Sequence, residues 1–273
     1  MPDLEFKIYD VFTETRFAGN PLAVFLDAPG IDDPTMQGIA NELNLSETVF
    51  ITGRPKSGEF EMRIFTPQTE LPFAGHPTVG TALALRDAGL VQDIARLNLP
   101  AGTVEVAIDG RTATFRAPLP SSLIDLQMTN DAAAELLGLA AEDIKQVEIA
   151  AAGVPFACIE LASRVALANC SIAMGAWKRD WSGSEASHIY VYCCGAEQGD
   201  LDARMFAPAM GIAEDPATGG AAAAMAAILP DGDYRITQGE DMGRKSLILL
   251  SVRDCRARIG GAAVQVGKGE IHG

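Results

Sequence analysis

Arg63 to Leu85 reads RIFTPQTELPFAGHPTVGTALAL, and Arg204 to Ala227 reads RMFAPAMGIAEDPATGGAAAAMAA. The second stretch is a version of the first. Aligning Arg63 with Arg204 also pairs Phe65 with Phe206 and Pro67 with Pro208. After a short deletion in the second copy, Pro77 meets Pro216, Gly80 meets Gly219, Ala82 meets Ala221 and Ala84 meets Ala223. Each copy runs from a strand-like segment through a loop to a polar residue, a proline and a helix of small residues. The reading places His76-Pro77 at the opening of the first helix and Asp215-Pro216 at the opening of the second, because proline fits the first helical position. Asp215 is then an N-cap, a role His76 fills poorly, so His76 calls for another explanation. Both helices are apolar or small nearly all round, which predicts buried helices whose first N–H groups need a partner, and an anion is one.

The two copies lie about half the chain apart, which favours two similar halves over a solenoid of short repeats. A shorter echo supports this: Gly19-Asn20-Pro21-Leu22-Ala23 matches Gly153-Val154-Pro155-Phe156-Ala157 in its Gly-x-Pro-x-Ala pattern. Around these stretches, alternation predicts strands at Leu4 to Val11, Leu22 to Leu26, Val49 to Ile51 and Glu59 to Phe65. A helix begins at Asp33-Pro34 and ends near Asn44. Val104 to Ile108 and Thr112 to Arg116 flank Asp109-Gly110 as a hairpin. Pro118 to Ser122 reads as a linker, and Asp131 to Leu137 as a short helix. Further strands follow at Val147 to Ala150, Phe156 to Leu161, His188 to Cys194, Tyr234 to Ile236, Leu247 to Val252, Ala257 to Ile259 and Ala263 to Val266. Ser163 to Glu185 carries no readable period. Many strands with few long helices point to an α+β fold, mostly antiparallel sheet wrapped round a central helix in each half.

The net charge of −15 argues against nucleic acid or an anionic membrane as partner. It also means that a site for an acid must be compensated locally by N–H groups or arginine. Cys158, Cys170, Cys193, Cys194 and Cys255 form no CxxC pair and no zinc-like spacing, so free thiols are expected. The opening residues are mixed and charged, and no apolar run reaches spanning length. The reading therefore expects no signal peptide, no membrane segment and a cytoplasmic location. No Gly-Lys-Ser/Thr follows Gly219, which removes a nucleotide P-loop.

Asp10-Val11-Phe12, Gly19-Asn20-Pro21-Leu22-Ala23-Val24-Phe25 and Asn44-Leu45-Ser46-Glu47-Thr48 form an ordered set. It continues through Arg63 to Pro67, Phe73-Ala74-Gly75-His76-Pro77, Glu214 to Gly219, Gln238-Gly239 and Met242-Gly243-Arg244. In these motifs the chain resembles the PhzF family, the phenazine-biosynthesis isomerase-like proteins with the diaminopimelate-epimerase-like fold. The resemblance implies two pseudo-symmetric domains, each a mostly antiparallel sheet rolled round a central buried helix. One would cover residues 1–118 with a C-terminal strand at about 262–273, the other 119–261, with the active site in the cleft between them. It also implies a small carboxylate substrate, no cofactor, no metal and a homodimer.

By the same resemblance Glu47 is the general acid/base, and His76 and Asp215 are active-site residues that hydrogen-bond the substrate or steer protons beside it. Gly75, Gly219 and Gly220 bring backbone N–H groups to a substrate carboxylate, and Ser46 is a candidate donor. Read from the residues alone, Glu47 is a surface carboxylate, His76 a structural histidine, Asp215 a cap, Ser46 a turn former and the glycines packing devices. Two-thiol racemases of this fold carry a cysteine at each central helix start. None stands near Gly75-His76 or Gly219-Gly220, which leaves one-base chemistry. The chain departs from the family at Gly220, where many relatives have Ser, and at Lys245, often Pro. The expected activity is a cofactor-independent isomerase shifting a proton by a single carboxylate. A non-catalytic small-acid binder and a related one-base racemase or lyase stay open as alternatives. His188 and His272 have no ligand partner at useful spacing.

Overall fold

A computed structural model describes residues 3–272, so residues 1, 2 and 273 of the expected division lie outside the described residues. The chain divides into two units, one running to Pro118 and resuming at Gly260, the other Leu119–Ile259. The first carries β1 (Leu4–Val11), β2 (Asn20–Phe25), α1 (Asp33–Leu43), β3 (Glu47–Gly53), β4 (Glu59–Phe65), β5 (Glu70–Leu71), α2 (Gly75–Asp87), β6 (Ile94–Leu99), β7 (Gly102–Asp109) and β8 (Thr112–Arg116). The second carries β9 (Ser122–Leu123), α3 (Asn130–Leu137), β10 (Ile144–Ala152), β11 (Val154–Leu161), α4 (Arg164–Asn169) and α5 (Met174–Ala176), which runs into a π-helical turn. There follow β12 (His188–Cys194), β13 (Asp200–Ala207), β14 (Ile212–Asp215), α6 (Gly219–Ala224), β15 (Gly232–Gln238) and β16 (Ser246–Arg253). The last strand, β17 (Arg256–Ile271), begins in the second unit and ends in the first.

In the first unit β1 pairs antiparallel with β2 and with β17, β3 with β4, β6 with β7 and β7 with β8, while β2–β3 and β4–β6 are parallel. β8 also pairs with β17, which closes the ring of strands. α2 runs through its interior: every residue from Gly75 to Leu85 is buried. The helix can lie this close because its wall-facing residue is glycine. A Cβ on Gly80 would stand 2.6 Å from a methyl of Leu22 and 2.7 Å from one of Val11. α1 covers a second cluster, with Met36, Ile39 and Ala40 over Phe25, Phe50 and Phe65. Its N-cap is Asp32, which accepts from Thr35 N–H at 2.9 Å, and it ends where Asn44 turns left-handed at φ 49°.

The second unit repeats the parallel pairings as β11–β12 and β13–β15 among antiparallel neighbours β10–β11, β12–β13 and β15–β16. Its main cluster gathers Leu136, Leu137, Ile159, Leu161, Trp177, Trp181 and Val191. The stretch with no readable period, Ser163 to Glu185, supplies α4, α5 and the π turn Trp177–Trp181, whose two tryptophans are both buried. Two residues four apart lie on one face of such a turn, so both indoles reach the same core.

Several expectations need correcting. α2 starts at Gly75, one residue before His76, so Pro77 is its third residue rather than its first. Asp215 is not an N-cap: it is the last residue of β14, and α6 begins only at Gly219 with Thr218 before it. The Asp-Pro pair looked like a helix start, but pairing of Asp215 with Met205 holds it in a strand. The β7–β8 turn is Gly110-Arg111, one residue on, since Asp109 pairs with Thr112. The two closing strands are one, β17. All five cysteines are free thiols, with Cys193 buried and Cys194 exposed as alternation requires. Among the described residues no helix is long and apolar enough to cross a membrane.

Candidate active site

Glu47 is the first residue of β3, placed there by parallel pairing with Leu22. His76 lies in the first turn of α2, buried with the rest of that helix. The fold brings these two together within the first unit: Nε2 of His76 lies 3.1 Å from Oε2 of Glu47, with side-chain exposures of 5% and 15%. Such a distance suits an ion pair, but burial pushes the imidazole down to about 3, only partly offset by a hydrogen bond to the Pro21 backbone. Proline offers only a carbonyl, so the ring is the donor there. A neutral imidazole has one N–H, and committing it to Pro21 leaves Nε2 as an acceptor facing Glu47. The contact therefore sets a neutral ring nitrogen against the Glu47 carboxyl group, 3.1 Å away.

Gly75 opens α2, and the N-cap, Ala74, has no side chain able to bond the first-turn amides. Ser46 precedes Glu47 and is partly buried. In the second unit Asp215 is buried, and Thr218 donates its hydroxyl to Oδ2 of Asp215 at 2.5 Å. Gln238, missed as a site residue by sequence reasoning, braces this loop. Its amide donates to the Asp215 carbonyl at 2.9 Å and to the Thr218 hydroxyl at 3.0 Å, and accepts from Thr218 N–H at 3.2 Å. Gly219 and Gly220 open α6.

A pair of arginine clamps was also not foreseen, although the repeat aligned the arginines themselves. Arg63 holds Glu70 through two bonds of 2.7 and 2.6 Å and lies over Phe65, 5.2 Å from the ring centre. Arg204 holds Glu214 at 2.9 and 2.8 Å and lies over Phe206 at 4.9 Å. Because Glu214 precedes Asp215, the second clamp fixes the chain direction at the candidate carboxylate.

His272, given no partner by spacing, meets Asp3 at 3.3 Å across β1 and β17. With Glu270 these offer ligand atoms within 4.8 Å of one another, all on exposed residues. Exposed acidic groups of this kind are common without an ion.

Residues 9–269 match the family model for phenazine biosynthesis-like proteins, PhzC-PhzF. The chain belongs to the PhzF family. An uncharacterized isomerase of Mesorhizobium japonicum is 39% identical, over 99% of this chain and 99% of its own. A trans-2,3-dihydro-3-hydroxyanthranilate isomerase of Pseudomonas fluorescens is 34% identical, over 97% and 98% respectively. The crystal structure of a Bacillus anthracis PhzF-family protein superposes with a TM-score of 0.88, covering 99% of each chain at 22% identity, a likeness of fold. The chain is accordingly a PhzF-like isomerase with a mixed, strand-dominated fold.

Proposed function

We propose that this chain is a cofactor-independent isomerase that moves a proton on a small carboxylate-bearing substrate, with Glu47 as its single acid/base. The supporting observation is the buried Glu47–His76 contact at 3.1 Å. A carboxylate that exchanges one proton with a neutral imidazole can take a proton from a substrate carbon and return it elsewhere on the same face. His76 lies against Oε2 and can accept or return a proton as Glu47 changes state. The buried start of α2, capped by alanine, leaves first-turn amides at Gly75 and His76 for the substrate carboxylate. Ser46, Asp215, Gly219 and Gly220 supply further polar contacts to the substrate in this reading.

The substrate named by the Pseudomonas relatives, trans-2,3-dihydro-3-hydroxyanthranilate, is the first probe, followed by small cyclic and amino carboxylic acids. Each acid is incubated with the protein in D2O and followed by NMR. The proposal expects deuterium at carbon in at least one acid. Binding without any exchange would replace it with the reading of a non-catalytic small-acid binder, and exchange that inverts a stereocentre would make the enzyme a one-base racemase.

A further inference from the structure

In the parallel pair β2–β3, Leu22 stands opposite Glu47. In the parallel pair β11–β12, Phe156 stands opposite His188. The Gly-x-Pro-x-Ala echo makes Leu22 and Phe156 the same position of the repeat. His188 is therefore the second unit's counterpart of Glu47, each the first residue of its strand. The first unit sets a carboxylate on the strand and an imidazole at the helix start. The second reverses the types, with His188 on the strand and Asp215 ahead of the helix.

Two further observations concern His188 itself. Its Nδ1 is buried and has no hydrogen-bond partner in the protein, a state that buried polar atoms rarely keep unless a water or ligand completes it. Its ring packs on Phe156, centre to centre 5.7 Å, and the same phenyl ring lies 3.7 Å from where a Cβ on Gly220 would stand. His188, Phe156 and the start of α6 thus form one cluster, and Gly220 in it is already a candidate substrate contact.

We infer that His188 is a substrate-contacting residue, hydrogen-bonding a hydroxyl or amino substituent of the acid. This rests on the proposed function, and deepens it by naming what the substrate carries besides its carboxylate. Burial disfavours the imidazolium here, so the neutral ring serves as one donor and one acceptor, a match for either substituent.

The chain has three histidines, His76, His188 and His272, so its imidazole signals are few enough to follow by NMR. The probes are 3-hydroxyanthranilate, which carries both substituents, and benzoate, which carries neither. The inference expects the His188 signals to move on adding 3-hydroxyanthranilate while those of His272 stay put. It further expects that acid to bind more tightly than benzoate. His188→Phe should remove about tenfold of that preference, the loss of one hydrogen bond. His188→Asn, whose amide atoms can stand near Nδ1, should restore part of it. A probe that moves His76 but leaves His188 unmoved overturns the inference, as does a preference unchanged in His188→Phe, or a probe that moves neither ring. Failure of the isomerase reading looks different, because it is absence of carbon-bound deuterium in the wild-type protein whatever His188 does.

Discussion

The two helix starts descend from one sequence pattern and hold their polar residue in opposite ways. In the first unit His76 rides in the opening turn of a thirteen-residue helix, buried and neutral. In the second, Asp215 closes a strand, and a six-residue helix begins four positions later. The missing turn is explained by contacts from distant strands and one neighbouring hydroxyl. Asp215 pairs with Met205, Gln238 takes up its carbonyl, and Thr218 spends its hydroxyl on its carboxylate. The copies therefore share a skeleton and a pair of arginine clamps but not a proton inventory. One sets a neutral imidazole against a carboxyl group, the other a carboxylate that accepts from a hydroxyl.

The clamps offer the largest contrast. Arg204 and Glu214 are only 12% and 14% exposed, whereas Arg63 shares its charge with Asp33 at 72% exposure and Glu70 at 31%. Arg204→Met should cost about 3 kcal/mol in urea unfolding, since it strands a buried carboxylate. Arg63→Met should cost about 1 kcal/mol. Equal losses would show that the clamps are not differently buried. Gly80→Ala should follow, at about 1–3 kcal/mol, because its Cβ would overlap Leu22 and Val11 in the packed wall of α2.

A pH effect of about 2 kcal/mol tests the neutral imidazole. The unfolded chain's His76 takes up a proton below about pH 6.5, while the buried ring resists until about 3. The unfolded state thus binds more protons in that window, and stability falls as pH drops through 6.5. Between pH 7 and 5 the wild type should lose about 2 kcal/mol more than His76→Asn. An identical pH dependence would mean that the folded ring titrates as the unfolded one does. The smallest effect belongs to the other helix. Gly220→Ala meets Phe156 only at ordinary contact distance, 3.7 Å, and alanine favours helix, so stability should hold or rise by up to about 1 kcal/mol in thermal melts.

What sequence alone could show follows the same divide. Alternation exposed β1 and the antiparallel hairpins because their signal is local. The Glu47–His76 contact was not visible, since Glu47, His76 and Pro21 are distant in sequence and converge only when β2, β3 and α2 assemble. Family resemblance named two of those residues but not the contact. Asp215 was misplaced because Asp-Pro is a good helix opening locally and only long-range pairing overrules it. Ala257 to Ile259 and Ala263 to Val266 were read as separate strands, yet a Cβ on Gly260 would fall 2.7 Å from Thr114 Oγ1, so the glycine serves close strand approach within one long strand. His188 carried no signal until the register of β11 and β12 set it beside Phe156, where its equivalence to Glu47 could be counted.

The central claim is that one carboxylate carries the proton, and Glu47→Gln tests it most directly. Deuterium incorporation from D2O into an acid that the wild-type protein turns over should fall by about 10²–10⁴-fold in this variant, with the unfolding midpoint unchanged. Incorporation at the wild-type rate in a folded Glu47→Gln protein would contradict the account.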